Sequence, residues 1–375
     1  MEGEKAYQYW LHNLPGIGDR TIERLLKTFG NAKAIYYAGD EMLKRQLKKN
    51  VLEAVKEFSK TWEIENEYEK MCQSGIQFYT IEDKKYPSRL LELEHPPYAL
   101  YCMGNMPKEN RPAVAVIGAR ECSEYGRYVA EAFAGKMAAA GVSIISGMAR
   151  GIDGIGQRAA IVNGGKTYAV LGSGVDVCYP AANKKLYQDI MDAGGGILSV
   201  FPPGTLPKKA QFPERNQIVA GLSDVILVIE ARAKSGTWIT VDMALEQGKN
   251  IYAVPGRLTD RLSDGCNLLI RQGAGIALTP EDILAELAVL NNRQGIMHKD
   301  GSEAKESQDN SILKSGESGI LRFLDFYPKS ADCILKEMKK AGEMMELPEL
   351  LAELVALCVE GSIKQIAGSH FAKVR

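Results

Sequence analysis

The chain is predicted to be an α/β protein built on a parallel, doubly wound sheet, with a helical segment before the sheet and a smaller helical module after it. Three observations predict this. Between residues 112 and 287, short apolar or β-branched runs alternate with stretches of helical periodicity, and such alternation implies a parallel sheet covered on both faces. Residues 1–75 carry helical patterning only. A polar tract, 288–317, separates the sheet region from residues 318–375, where three helical patterns precede a short hairpin.

The N-terminal helical domain, residues 1–75, contains LPGIGDRTIERLLKTFG at 14–30. The Pro-Gly-Ile-Gly turn between two helices fits a helix-hairpin-helix, whose glycines leave backbone N–H groups free for a phosphate, and fits equally a plain αα-hairpin whose glycines only make the turn. The charged run 62–70 reads as the solvated face of a helix. Residues 76–111 form a connecting segment: a strand at 76–81, then a proline-rich stretch, 86–104, expected to run extended along the next domain.

In the sheet domain, 112–287, strands are expected at 114–117, 142–146, 167–171, 196–200, 225–229, 250–254 and 275–278. Helices are expected at 125–140, 153–163, 183–192, 214–221, 237–247, 265–272 and 280–288. The tract 288–317, rich in Gly, Ser and Asn, reads as a flexible linker. Beyond it, helices at 320–326, 331–339 and 347–360 and a hairpin of 363–366 with 370–374 suggest a winged-helix-like domain, or a small helical interaction module.

Composition narrows the function classes. The 375 residues are 45% hydrophobic and 25% charged. No apolar run approaches the ~18 residues that span a bilayer. The acidic N-terminus has no signal-peptide core, so a cytoplasmic location and no membrane partner are expected. Seven scattered cysteines without a CxxC pair, and four separated histidines, make a poor metal-ligand set; no metal and no cofactor are expected. Net charge is −1, divided as zero over 1–111, +1 over 112–284 and −2 over 285–375. Any nucleic acid must therefore be held by a local cluster of cations and not by a global field.

The chemistry is concentrated in the loops that leave the strands. In an open parallel sheet ligands sit at the carboxyl ends of the strands, where helix N-termini favour anions. Five loops there are rich in Gly, Ser and Arg: GAR at 118–120, SGMARGID at 146–153, GSGVDVCYP at 172–180, FPPGTLPKKAQFPERNQIVAG at 201–221 and EARAKSGT at 230–237. Together they read as a phosphate-binding rim suited to single-stranded DNA. In the fourth loop Lys208, Lys209 and Arg215 surround Phe212. A cation three residues from an aromatic ring suits a polynucleotide, the cation meeting a phosphate and the ring a base; the same residues also fit a hydrophobic staple with solvated lysines. Known nucleotide fingerprints are absent: no GxGxxG follows the first strand, and Gly165-Lys166-Thr167 is followed by a strand where a P-loop needs a helix. The acids near the rim, Asp153, Asp176, Glu230 and Asp242, are too dispersed to define a catalytic pair.

VIGARECSEYG, SGMARGID, GSGVDVCYP, FPPGTLPKKAQFPERNQIVAGLSD, VIEARAKSGTWIT and GCNLLIRQGA occur in this order within residues 112–280. In sequence and spacing they resemble the DprA (Smf) DNA-processing family. The resemblance implies an extended Rossmann-like core, flanked by an N-terminal helix-hairpin-helix or SAM-like domain and a C-terminal winged-helix-like domain. It implies a non-enzymatic homodimer that binds single-stranded DNA without sequence preference, protects it and loads the RecA recombinase onto it in natural transformation. By motif, Arg120 resembles the family's phosphate-binding arginine, and Lys209 and Phe212 its basic and stacking pair. Ser146, Gly147, Gly172 and Ser173 resemble its small lining residues, with Arg215, Asn216, Ser235, Gly236 and Thr237 as further binding candidates. Ala119, Val200 and Gln217 stand where the family more often has serine, glutamate and arginine. A more distant resemblance is to lysine-decarboxylase-like (LOG) nucleotide enzymes. AKSGTWITVDMALE retains Gly236-Thr237 of their glycine-rich loop without the preceding glycines, so a nucleotide-binding or nucleotide-hydrolysing enzyme using the same pocket is the rival reading.

Overall fold

The computed structural model describes residues 2–293, 319–324, 329–343, 345–366 and 370–373. The chain divides into two compact units, residues 1–121 with 130–296, and residues 122–129 with 297–375.

The first unit opens with six helices, α1 (Glu2–Asn13), α2 (Asp19–Phe29), α3 (Ala32–Tyr36), α4 (Asp40–Lys44), α5 (Lys49–Thr61) and α6 (Ile64–Gln73). Gly16, at φ 74°, makes the turn between α1 and α2. Strands β1 (Ile76–Thr80) and β2 (Ala99–Gly104) follow, with α7 (Ser88–Leu91) between them. The alternating region then gives β3 (Ala113–Ile117), α8 (Glu124–Ala139), β4 (Ser143–Ser146), α9 (Ile152–Val162), β5 (Thr167–Val170), α10 (Lys184–Asp192), β6 (Gly196–Ser199), α11 (Gln211–Gly221), β7 (Val225–Val228), α12 (Thr237–Glu246), β8 (Asn250–Ala253), α13 (Asp264–Arg271), β9 (Gly275–Ile276) and α14 (Pro280–Arg293). Every strand expected in this region is present, with ends shifted by at most two residues.

The sheet has nine strands in the order β1-β2-β6-β5-β4-β3-β7-β8-β9. Strands β3 to β9 pair in parallel, and β1 and β2 add an antiparallel edge beyond β6. Strands β3 to β7 are buried at every position, as runs such as AVAVI and VILV require when helices cover both faces. The edge strand β1 alternates buried with exposed or half-buried residues. The connecting segment thus does more than run alongside: β2 joins the sheet, Tyr101 opposite Ser199. The chain starts in the middle at β3, winds out to β6, and returns to the other side of β3 with β7. The switch point of the topology therefore lies between β3 and β7, where doubly wound sheets carry their ligands.

The N-terminal helices share a core with one face of this sheet. Tyr9, Trp10 and Leu11 pack in one cluster with Phe78, Tyr101, Ala169 and Ile197. The opposite face is covered by Leu90, Val219, Val241, Cys266 and Leu269. Arg89 ties α7 to the sheet by donating to the carbonyls of Arg111 and Leu222 and pairing with Asp224 at 3.0 Å.

In the second unit, β10 (Lys329–Ser330), α15 (Ala331–Lys340), α16 (Leu347–Val359), β11 (Ile363–Ile366) and β12 (His370–Lys373) follow a 3₁₀ turn at Gly319–Phe323. The short sheet has the order β10-β12-β11, and Ile334, Met338, Leu350, Leu354 and Phe371 form its core. Ser330 caps α15, and Glu346 with Glu349 makes a capping box on α16. Of the three helices expected here, the second and third are present as α15 and α16 and the hairpin follows them, whereas the first, 320–326, is a 3₁₀ turn ending at Phe323, with 325–326 outside the described residues; β10 was not foreseen because two residues carry no periodicity. Of the expected linker, 288–293 continue α14 and the remainder lies outside the described residues.

His12 sits where the helical segment meets the sheet, its Nδ1 2.8 Å from the Tyr101 hydroxyl, and burial pushes its pKa down to about 4. The folded chain resists protonation there, whereas the unfolded chain takes up the proton near pH 6.5. Stability should therefore be level above that pH and fall below it, by about 1–2 kcal/mol between pH 7 and pH 5. Thermal melts of wild type and His12→Gln at the two pH values check this: the variant should lose less on acidification, and an equal loss would refute it.

Candidate functional site

A cleft of about 500 Å³ opens at the carboxyl ends of β3 and β7, at the switch point. Its walls come from the loops after β3, β4 and β7 and from the start of α11. Among its lining residues are four cations, Arg120, Lys209, Arg215 and Arg232, against two carboxylates, Glu121 and Asp153. A chain of net charge −1 thus collects a local positive excess in one place. The first turns of α9, α11 and α12 all reach the cleft, and none has a side-chain cap. Backbone carbonyls take part of their first-turn N–H groups, Ile152 and Gly154 in α9, Gln211 in α11 and Trp238 in α12, and the helix dipoles add partial positive charge at this end of the sheet.

The floor is built around Arg215. Its side chain is buried, with 5% of the residue exposed. Nη1 donates to the carbonyls of Gly147 and Val170 (2.6 Å to the latter), and Nε donates to Asn216 Oδ1 at 3.1 Å. Burial pushes its pKa down to about 10, with Asp153 opposing the shift and Arg120 adding to it, so it stays charged at neutral pH. Asp153 is also buried; burial raises its pKa against the pull of Arg215, and its carboxylate accepts the Gly147 N–H at 3.2 Å. Gly147 has to be glycine, because a Cβ there would lie 2.4 Å from the Arg215 guanidinium carbon.

Phe212 lies above this floor in the first turn of α11, which starts three residues earlier than expected, at Gln211. Pro213 has no N–H to lose in that first turn. The Phe212 ring is half-buried and lies 5.8 Å from each of two guanidinium carbons, Arg120 and Arg215. It rests on bare backbone at Gly172, where a Cβ would come within 3.0 Å of the ring. Arg120 and Lys209 are both exposed. The loops interlock at close range: a Cβ at Gly151 would meet the Ala119 carbonyl at 2.2 Å, and one at Gly118 the Glu230 carbonyl at 2.8 Å.

Of the residues singled out from sequence, Arg120, Gly147, Lys209, Phe212, Arg215, Asn216, Ser235, Gly236 and Thr237 line this one cleft. Gly172 lines a smaller adjoining hollow together with Arg120, Arg150, Tyr179 and Phe212. Ser146 and Ser173 line neither. Both are fully buried, and their hydroxyls donate to the carbonyls of Val116 and Val177 at 2.7 and 2.8 Å, so their work is to shape the loops beneath the surface. Of the dispersed acids, Asp153 alone is among the cleft residues; Asp176 instead grips the Gly204 N–H with both oxygens, tying the loop after β5 to the loop that carries Lys209. Arg232, Arg150 and Tyr179 were missed. Each lies in a quoted glycine-rich loop, and a count of cations and rings across all five loops would have found them.

A basic cleft at the switch point of a doubly wound α/β sheet is the arrangement in which this class of fold can hold an anionic ligand. The chain belongs to the DNA recombination-mediator protein A family, whose sequence model matches residues 77–288. DNA processing protein DprA of Streptococcus pneumoniae is 43% identical over 208 residues, which cover 56% of this chain and 73% of that protein. Protein Smf of Escherichia coli is 33% identical over 289 residues, covering 76% of this chain and 74% of that protein. The X-ray structure of the S. pneumoniae protein superposes with a TM-score of 0.64 at 33% identity, covering 76% of this chain and 98% of that one. A structure reporting the single-stranded DNA binding mode of DNA processing protein A from Helicobacter pylori superposes with a TM-score of 0.50 at 31% identity, covering 58% and 97%.

Replacing Gly147 by alanine should displace the Arg215 guanidinium and leave two buried carbonyls short of a partner, costing about 2–4 kcal/mol in a urea titration. Gly236→Ala, with open space around its Cβ, should cost less than about 1 kcal/mol. Equal costs would refute the packing described.

Proposed function

We propose that this chain binds single-stranded DNA without sequence preference along the carboxyl edge of its sheet. The observation that carries the reading is Phe212, half-exposed beside the guanidiniums of Arg120 and Arg215 in the same cleft as Lys209. An aromatic face flanked by cations meets both parts of a polynucleotide, the flat base and the charged phosphate. Arg120 and Lys209, on separate loops, hold successive phosphates, and Phe212 stacks a base. Arg215, committed to two backbone carbonyls, positions the ring. None of these contacts reads a base edge, so binding is set by backbone and stacking alone. The structure reporting single-stranded DNA binding by the H. pylori protein supports the choice of ligand.

The fuller reading is a homodimer in the cytoplasm that protects incoming DNA and passes it to the RecA recombinase, with no catalytic residue. Two copies on one strand would raise the affinity for long oligonucleotides above that for short ones.

Arg120→Ala and Lys209→Ala should each weaken binding to all sequences about equally and reduce the salt slope by about one unit. Phe212→Ala should cost roughly 1–3 kcal/mol with the slope unchanged. Fluorescence anisotropy with labelled homopolymers at two salt concentrations measures both. Sequence-selective loss, or no loss with any of the three, would sink the reading, and release of free base or phosphate from nucleotides would favour an enzyme in the same cleft.

A further inference from the structure

Beyond the cleft, the rim continues into the small hollow bounded by Arg120, Arg150, Gly172, Tyr179 and Phe212. Tyr179 is 46% exposed although it is a large aromatic residue in a loop that is otherwise tightly built. Its ring centroid lies 5.8 Å from that of Phe212, at 42°. The loop that carries it is braced from within. The Val177 N–H donates to Gly174, Ser173 Oγ to Val177, and the Asn183 N–H to Pro180. The Asn183 side chain in turn donates to the Met148 carbonyl at 2.9 Å. The ring thus projects from a braced loop, so that little backbone ordering is left for a ligand to impose.

From this geometry we propose that Tyr179 is a second base-stacking surface, with exposed Arg150 as its phosphate partner. The proposal rests on the single-stranded DNA reading above and adds the direction in which the strand leaves the cleft. In the sheet order, β7, β3, β4 and β5 stand side by side. The loops after them carry Arg232, Arg120, Arg150 and Tyr179 in that same sequence. A strand laid across these loops meets a cation at each of the first three and a ring at the last. Two rings 5.8 Å apart and tilted are further apart than stacked bases, which rise about 3.4 Å. Neighbouring bases are therefore splayed, one on each ring, and single-stranded nucleic acid is selected because paired bases cannot be splayed without unstacking the duplex.

The test uses the full chain and oligothymidylates carrying 5-iododeoxyuridine at one position. Irradiation should cross-link Tyr179 and Phe212 to different nucleotides, and peptide mapping identifies both. Tyr179→Ala should bind about 10-fold more weakly, keep the Phe212 cross-link and keep its salt slope. Tyr179→Phe and Tyr179→Trp should restore affinity, because the ring and not the hydroxyl is used. Arg150→Ala should lower the salt slope by about one unit. If Tyr179→Ala binds as wild type does, or Tyr179→Phe loses as much as alanine, or no cross-link maps to Tyr179 while Phe212 is labelled, the second surface does not exist and the first reading stands. If wild type binds no single strand at all, both fall together.

Discussion

A charged guanidinium in the interior is the constraint on which the site depends. Arg215 gives up water and recovers its hydrogen bonds from the carbonyls of Gly147 and Val170, at the ends of β4 and β5. Asp153, itself buried, supplies the opposing charge. Such a group is stable only while all its partners are in place, because a lone buried charge is costly. The helix that carries Arg215 therefore cannot drift relative to the two loops, and Phe212, three residues earlier on the same helix, inherits that fixed position. The glycines follow from the same demand. At Gly147 and Gly172 the guanidinium and the ring lie against bare backbone: a Cβ at Gly147 would collide with the guanidinium, and one at Gly172 would press on the ring at 3.0 Å.

Around this anchor the topology does the gathering. Strands β3 and β7 are neighbours in the sheet but more than a hundred residues apart in the chain, and their loops interlock through Gly118 and the Glu230 carbonyl. Met148, beside the floor, adopts φ 54°, a conformation that costs a non-glycine residue on the order of 1–3 kcal/mol. The Asn183 amide bonded to its carbonyl, and Asp153 bonded to the N–H of its neighbour Gly147, help to hold it there. The result is a rigid rim on which cations from separate loops meet, and a protein with almost no net charge acquires a locally basic surface.

Much of this was legible beforehand. The strands of the parallel sheet are short apolar runs bounded by glycine, and buried parallel strands need that composition, so their positions followed closely. Lys209 and Phe212 stood out because a cation three residues from a ring suits a phosphate and a base, although the pattern fitted a hydrophobic staple equally. Other features were hidden for physical reasons. Nothing in a proline-rich stretch told that β2 would pair with β6, since strand pairing is decided by a partner some hundred residues away. Ser146 and Ser173 were expected at the rim from the family resemblance, yet whether a serine faces the ligand or the backbone depends on the turn that follows. Arg150, Tyr179 and Arg232 went unnoticed because each is ordinary within its own loop.

Sequence alone determined the class of sheet, the order of its elements, the loops that carry the chemistry and the kinship of the chain, because hydrophobic period, glycine placement and motif order are local properties. The tertiary structure decided which of those loops meet. It turned Arg215 inward to become a support and left Arg120 and Lys209 outward, although all three are basic residues in similar loops. Burial and partner geometry make that distinction, and they exist only once residues distant in the chain have been brought together.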